Sequence, residues 1–156
     1  MEFLDGEALS SLLLRERVVT IDKCVDIMAQ IADALMEAHA LGYVHRDLRP
    51  RSIFLTRRRG RQDFVKILDF GLAKLVQPEV DAQRTAMGMT YGDARYMAPE
   101  QARGESTDRR ADIYSLGALG FEMLTGEPPF VGGSAIELLT KVLDAPVPRI
   151  RDRRPE

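Results

Sequence analysis

Residues 111–125, ADIYSLGALGFEMLT, constrain the fold of this chain more than any other stretch. Ile113, Leu116, Leu119, Phe121, Met123 and Leu124 spread apolar side chains over nearly every side of a helical wheel, the pattern of a helix enclosed by other elements. A membrane helix is the other structure that tolerates such a pattern, but 113–124 is too short for a bilayer and carries Glu122. The chain must therefore supply its own packing partners. Its 156 residues suit one domain with a real core. Met1 is followed at once by Glu2 and Asp5 rather than by a basic segment and an apolar run, so no secretory signal is read and a soluble, cytoplasmic protein is expected.

The best candidate to pack on that helix is residues 21–40. Ile21, Val25, Met28, Ala32 and Leu35 recur at three- and four-residue spacing, Thr20 can cap the start and Gly42 can stop the end. A shorter helix is expected over 8–15 after the turn-like Asp5-Gly6, with 1–4 as a strand end or connector. Two apolar runs, 52–56 and 64–68, flank RRRGRQD and predict a β-hairpin with a long polar turn. Residues 71–100 show no sustained period, and so long a connection is usually functional. A last helix is expected over about 135–143, with Ser134 and Glu137 in capping-box spacing and Pro146 and Pro148 beyond it.

Composition removes several function classes. Lys plus Arg number 22 against 24 Asp plus Glu, a formal charge of -2, which gives no global pull toward nucleic acid or an anionic membrane. The cluster Arg57, Arg58, Arg59 and Arg61 is explained by a solvated turn, since no aromatic residues interleave for base stacking. One cysteine, Cys24, excludes an internal disulfide and a cysteine-based zinc site, and its helical position predicts buried filler.

Two carboxylates carry the chemistry. Asp47 lies in the loop between the long helix and the hairpin, and Asp69 sits at the exit of the second strand in ILDFGLAK. So placed beside a rigid hairpin, one can accept a hydroxyl proton while the other holds Mg²⁺ against phosphate oxygens. With their flanks, HRDLRPRS at 45–52, DFG at 69–71, APE at 98–100 and DIYSLG at 112–117, the chain resembles the eukaryotic-type protein kinases, and specifically the serine/threonine kinases also found in bacteria.

That resemblance implies a mainly α fold, the large lobe of the kinase domain with a small β-hairpin at the catalytic site. It implies a hinge at 1–7, a catalytic loop at 43–55 and an activation segment at 69–100. ATP and Mg²⁺ are the implied cofactors, and protein serine or threonine hydroxyls the substrate. Asp47 would be the base and Arg49 a cation for the transferring phosphate. Asp69 would chelate Mg²⁺ within the Asp69-Phe70-Gly71 turn, and Ser52 stands where the family has the asparagine of a second metal site. Backbone groups of Glu2 and Leu4 would meet the adenine, Glu7 or Asp5 the ribose, and Phe54 the floor beneath the base. His45 would pack under Phe70, and Asp112 would brace the loop from the central helix. Arg46 would receive a phosphorylated Thr85 or Thr90, and Glu100 would need an arginine such as Arg110 or Arg151.

Departures from the family pattern set further expectations. Arg49 for lysine and Asp93 for threonine suggest a replaced contact, an Arg49–Asp93 ion pair. Serine is a poorer Mg²⁺ ligand than an amide oxygen, so one ion should be held weakly. The 156 residues hold no glycine-rich phosphate loop, strand lysine or helix glutamate, and the family's last helices would follow RDRRPE. The small lobe and last helices thus read as absent, which implies a truncated chain, inactive alone, with lobe surfaces left for a partner. A pseudokinase-like binding or regulatory module is the alternative, and a helical nucleic-acid-binding domain the weaker one.

Overall fold

The computed structural model describes residues 5–58, 60–70 and 93–155. Strand β1 (Gly6–Ala8) runs directly into helix α1 (Leu9–Glu16), and α2 (Ile21–Ala40) follows. A 3-10 turn at Pro50–Ser52 leads into β2 (Ile53–Arg58) and β3 (Arg61–Ile67). After a second 3-10 turn at Asp93–Tyr96 come α3 (Pro99–Ala102), α4 (Arg109–Thr125), α5 (Ala135–Asp144) and α6 (Ile150–Arg153). The expectation for residues 1–4 lies outside the described residues.

The expected hairpin is in fact part of a three-stranded antiparallel sheet ordered β1-β2-β3. Gly6, Glu7 and Ala8 pair with Thr56, Leu55 and Phe54, a strand too short to show any alternation in sequence. The hairpin strands also run farther into the arginine stretch than expected, with an irregularity between Thr56 and Arg58. Backbone pairing holds Arg58 in the strand, and its guanidinium lies 4.9 Å over the Phe64 ring.

Helix α2 has the expected bounds and cap, with Thr20 Oγ1 accepting the Lys23 N–H at 3.3 Å. Its buried face is only partly the expected one: Leu35 is buried and Met28 packs against the core as expected. Cys24, Ile27, Ile31 and Leu35 face the core, whereas Ile21 is 50% and Val25 60% exposed. Two neighbouring ridges of α2 are apolar, and periodicity cannot choose between adjacent ridges. Helix α4 chooses. A Cβ on Gly120 would sit 2.5 Å from Met28 Sδ, so the bare glycine leaves room for the Met28 side chain as placed, and Cys24 Sγ lies 3.9 Å from the Gly120 carbonyl oxygen. Burial holds the Cys24 thiol above its ordinary pKa, in keeping with an inert core position.

Helix α4 starts at Asp108, whose side chain accepts the Arg110 N–H at 2.8 Å, and stops at Gly126 with φ of 83°. Leu116, Leu119 and Met123 join Leu9 and Leu12 of α1, Leu48, and Ile53, Leu55 and Val65 of the sheet in the main core. Each such side chain, fully withdrawn from water, stabilises the fold by about 1.5–3 kcal/mol. The helix is not enclosed all round, however, since Ile113 is 56% exposed. It rims an apolar cleft of about 360 Å³ with Ala32, Leu35 and Met36.

Beyond α4, Phe130 packs with Ala94, Leu138 and Val142 in a smaller cluster under α5. Ser134 Oγ accepts the Glu137 N–H, while Glu137 Oε2 reaches back to the Gly133 N–H, one residue before the expected capping-box partner. Arg154 Nη1 donates to the carbonyls of Val19 at 2.9 Å and Leu124 at 3.3 Å, which satisfies a carbonyl in the last turn of α4. Among the described residues no helix is long and apolar enough to cross a membrane.

Candidate active site

The loop that follows α2 is shaped by one buried carboxylate. Asp112, in the first turn of α4 and fully buried, accepts the backbone N–H of His45 on Oδ2 at 2.9 Å and that of Arg46 on Oδ1 at 2.8 Å. Its Oδ2 also lies 2.7 Å from His39 Nε2 in the last turn of α2. A carboxylate only accepts, so the hydrogen in that contact belongs to the imidazole. These bonds hold Arg46 at φ of 65°, a left-handed backbone that costs a side-chain-bearing residue about 1–2 kcal/mol. The Arg46 carbonyl in turn accepts Gln101 Nε2 of α3 at 2.8 Å.

His45 joins this loop to the exit of β3. Its ring is buried, with Nε2 2.9 Å from the Leu68 carbonyl and Nδ1 3.2 Å from the Asp47 backbone nitrogen. The carbonyl needs a donor and the Asp47 N–H an acceptor, which assigns the proton to Nε2 and leaves a neutral imidazole. Phe70 meets the same ring edge-on, with centroids 4.9 Å apart. Asp69, between Leu68 and Phe70, is itself in the left-handed region at φ of 67° and exposes its carboxylate. The two candidate carboxylates are therefore carried by segments that a single histidine locks together.

Asp47 is exposed, and Arg49 Nη2 lies 3.0 Å from its Oδ2. The expected Arg49–Asp93 pair cannot be read, because the Asp93 side chain lies outside the described residues. Ser52 is buried, and its hydroxyl donates to the Arg49 carbonyl at 2.8 Å while accepting the Arg49 N–H at 3.0 Å. That hydroxyl closes the 3-10 turn, and the Leu68 N–H donating to the Ser52 carbonyl at 2.8 Å ties the turn to β3. Glu7 accepts a two-pronged contact from Arg15 of α1 at 2.7 and 2.8 Å. That hydrogen bonding keeps its carboxyl below the usual range. Phe54 is half-buried in β2, opposite Ala8 on one side and Lys66 on the other.

Glu100 lies on α3, but Arg110 ion-pairs with Asp108 at 3.1 Å. The Glu100 charge reaches both Arg110 and Tyr114, and the Tyr114 hydroxyl is buried without a hydrogen-bond partner among the described residues. Burial first, and the Glu100 charge second, raise the Tyr114 pKa. Glu2, Leu4, Gly71, Thr85 and Thr90 lie outside the described residues. Two contributors were missed in the sequence, His39 and Gln101. The one hint for His39 was a polar ring in the last turn of a helix otherwise read for its apolar period.

The donor set suits a magnesium ion held in part by phosphate. Mg²⁺ takes one or two carboxylates with waters and substrate oxygens, and Asp69 offers one exposed carboxylate. Among the described residues there is no cluster of three acidic, histidine or cysteine side chains that would make an all-protein cage.

Residues 1–153 match the protein kinase domain. The chain is 40% identical over 157 residues to the serine/threonine-protein kinase pkn3 of Myxococcus xanthus, covering 100% of this chain and 29% of that protein. It is 45% identical over 149 residues to Pkn1 of the same organism, covering 95% of this chain and 21% of that protein. Against PknA of Mycobacterium tuberculosis (strain ATCC 25618 / H37Rv) it is 41% identical over 148 residues, 95% of this chain and 33% of the relative. The chain thus spans a third or less of these relatives. With its match running through the His45 loop, the Asp69 turn and helix α4, the chain belongs to the protein kinase domain family.

Proposed function

We propose that these residues form the large-lobe part of a serine/threonine protein kinase that moves the terminal phosphoryl group of ATP to a protein serine or threonine hydroxyl. The observation that carries this reading is the His45 bridge, which holds the Asp47 loop against the Asp69 turn. In the reaction the acceptor oxygen bonds to the γ-phosphorus, the bond from that phosphorus to the bridging oxygen breaks, and ADP leaves with the electron pair. Asp47 orients the acceptor hydroxyl and takes its proton. Arg49, in contact with Asp47, places a fixed positive charge beside the transferring group. Asp69 would hold a Mg²⁺ ion that supplies neutralising charge to the phosphates, and Ser52, its hydroxyl engaged by the Arg49 backbone, would contribute only weakly. Arg46, exposed beside α3, is the receiver for a phosphorylated Thr85 or Thr90.

Transfer of labelled phosphate to serine and threonine peptides tests this reading. In the protein that carries these residues, Asp47→Asn lowers transfer by about 10²–10⁴-fold. Unchanged transfer by that variant would overturn the assignment. The 156 residues alone transfer at background, because the glycine-rich loop and strand lysine that clamp the phosphates are not among them. Ser52 favours a second reading, a pseudokinase-like binding module, since its hydroxyl is engaged by the Arg49 backbone. Nucleotide binding without Asp47-dependent transfer would select that reading.

A further inference from the structure

We infer that the outer face of α2 is a pairing surface for a second copy of this chain, with the two α2 helices side by side and parallel. The inference goes beyond the phosphoryl-transfer reading and does not depend on it. Ile21, Val25, Ala29, Ala32, Met36 and Ala40 are all exposed. They recur in pairs eleven residues apart, 21 with 32, 25 with 36 and 29 with 40. Eleven residues are close to three helical turns, so these side chains form one straight stripe along the whole of α2, a span of about 30 Å. Single exposed apolar residues are ordinary on a protein surface, but a contiguous stripe of them marks an interaction site.

The borders of the stripe choose its occupant. On one side, one position along from the stripe, run Asp22, Asp26, Asp33 and Glu37, all exposed. On the other side lies α4, packed on α2 through Gly120 at Met28 and Asp112 at His39. Its Arg109 and Ile113 line the apolar cleft with Met36 and Ala40. Among the described residues Asp33, Glu37 and Arg109 make no ion pair. When two copies meet stripe to stripe about a twofold axis parallel to α2, every residue faces the partner at its own height along the helix, and each acidic border meets the partner's α4. Glu37 then faces the partner's Arg109, and Arg109 the partner's Glu37, while Ile113 of each copy covers the other's stripe. Antiparallel pairing would instead lay the two acidic borders against each other, which like charges oppose. A surface about 30 Å long, widened by the α4 wall, is at the small end of stable interfaces, which begin at about 600 Å² per partner. The dimer should therefore be weak and reversible.

Sedimentation of the 156-residue chain tests this without any phosphoryl transfer. The unchanged chain should form a concentration-dependent dimer. Glu37→Arg and Arg109→Glu each place like charges at both symmetry-related contacts, and each should weaken the dimer about 10-fold or more. An equal mixture of the two variants should dimerise again, because each then meets its complement twice. Both side chains are exposed, so neither change threatens the fold. A monomeric unchanged chain, or a mixture no more dimeric than either variant alone, would overturn the inference. Direction is read separately by cross-linking. Val25→Cys should link to itself on mild oxidation, since Cys24 is buried and leaves the new thiol as the reactive one. Cross-linking only in a mixture of Val25→Cys and Met36→Cys would show antiparallel pairing and refute the parallel arrangement.

Discussion

The backbone N–H of Arg46 is bonded at 2.8 Å to Asp112 Oδ1, across 66 residues of sequence. This contact joins the mainly helical core to the loop that carries Asp47. Because three N–H groups converge on one buried carboxylate, Asp112→Ala strands all three and should cost about 3 kcal/mol or more of stability. Asp112→Asn keeps one accepting oxygen but turns an NH₂ toward a loop amide, so an intermediate loss is expected. Urea denaturation of the three proteins measures both. A loss below about 1 kcal/mol in the alanine variant would show that the loop finds other partners.

Ser52 and Asp69 should separate cleanly. The Ser52 hydroxyl both donates to and accepts from the Arg49 backbone inside a buried turn, so Ser52→Ala should lower stability by about 1–2 kcal/mol. Its effect on the Mg²⁺ dependence of nucleotide binding should be small. Asp69 is exposed at the end of β3 and makes the stronger metal ligand, so Asp69→Asn should weaken that dependence about 10-fold or more while leaving stability nearly unchanged. Calorimetric titration of the protein that carries these residues distinguishes them. A larger metal defect in Ser52→Ala than in Asp69→Asn would reverse the assignment.

How much of this was legible in the sequence follows from how far each signal reaches. Helix α2 announced itself by an apolar repeat sustained over twenty residues after Thr20, and α4 by a long stretch apolar on nearly every side that ends at Gly126. Which residues of α2 turn inward was only partly legible: Met28 and Leu35 pack on the core as expected, but Cys24, Ile27 and Ile31 join them in place of Ile21 and Val25, because neighbouring rows of the helix are all apolar. Strand β1 was hidden by its three-residue length. In the site, His45, Phe70 and Asp112 were expected from motif resemblance. His39 and Gln101 act through tertiary hydrogen bonds that leave no local pattern.

Glu122 gives stability a pH dependence of unusual sign. Burial holds its carboxyl above the ordinary 4.5, opposed by the hydrogen bond from Tyr96 and the charge of Arg95. The folded form thus binds a proton more tightly than the unfolded chain. This group's contribution is fully present below about pH 4.5 and is lost as pH rises through the raised value. Glu122→Gln keeps an oxygen to accept from the Tyr96 hydroxyl but cannot ionise. Its stability, measured by urea denaturation between pH 4.5 and 8, should therefore fall less with rising pH than that of the unchanged chain. A steeper fall in the glutamine variant would show that the charged carboxylate is the favoured form.

The exposed ridge of α2 and Ile113 of α4 should govern association rather than folding. Met36 is 65% and Ile113 56% exposed, and both line the cleft of about 360 Å³ that also contains Ala32 and Leu35. Apolar surface of this kind, contiguous and concave, favours self-association of the chain. Because neither side chain is buried, replacing each by lysine removes little packing and should change stability by only about 0.5 kcal/mol. The doubly substituted chain should remain monodisperse at concentrations and temperatures where the unchanged chain scatters light. If Met36→Lys and Ile113→Lys instead destabilise the fold by about 2 kcal/mol or more, the two side chains are packed in solution, and the cleft is closed by protein rather than open to water.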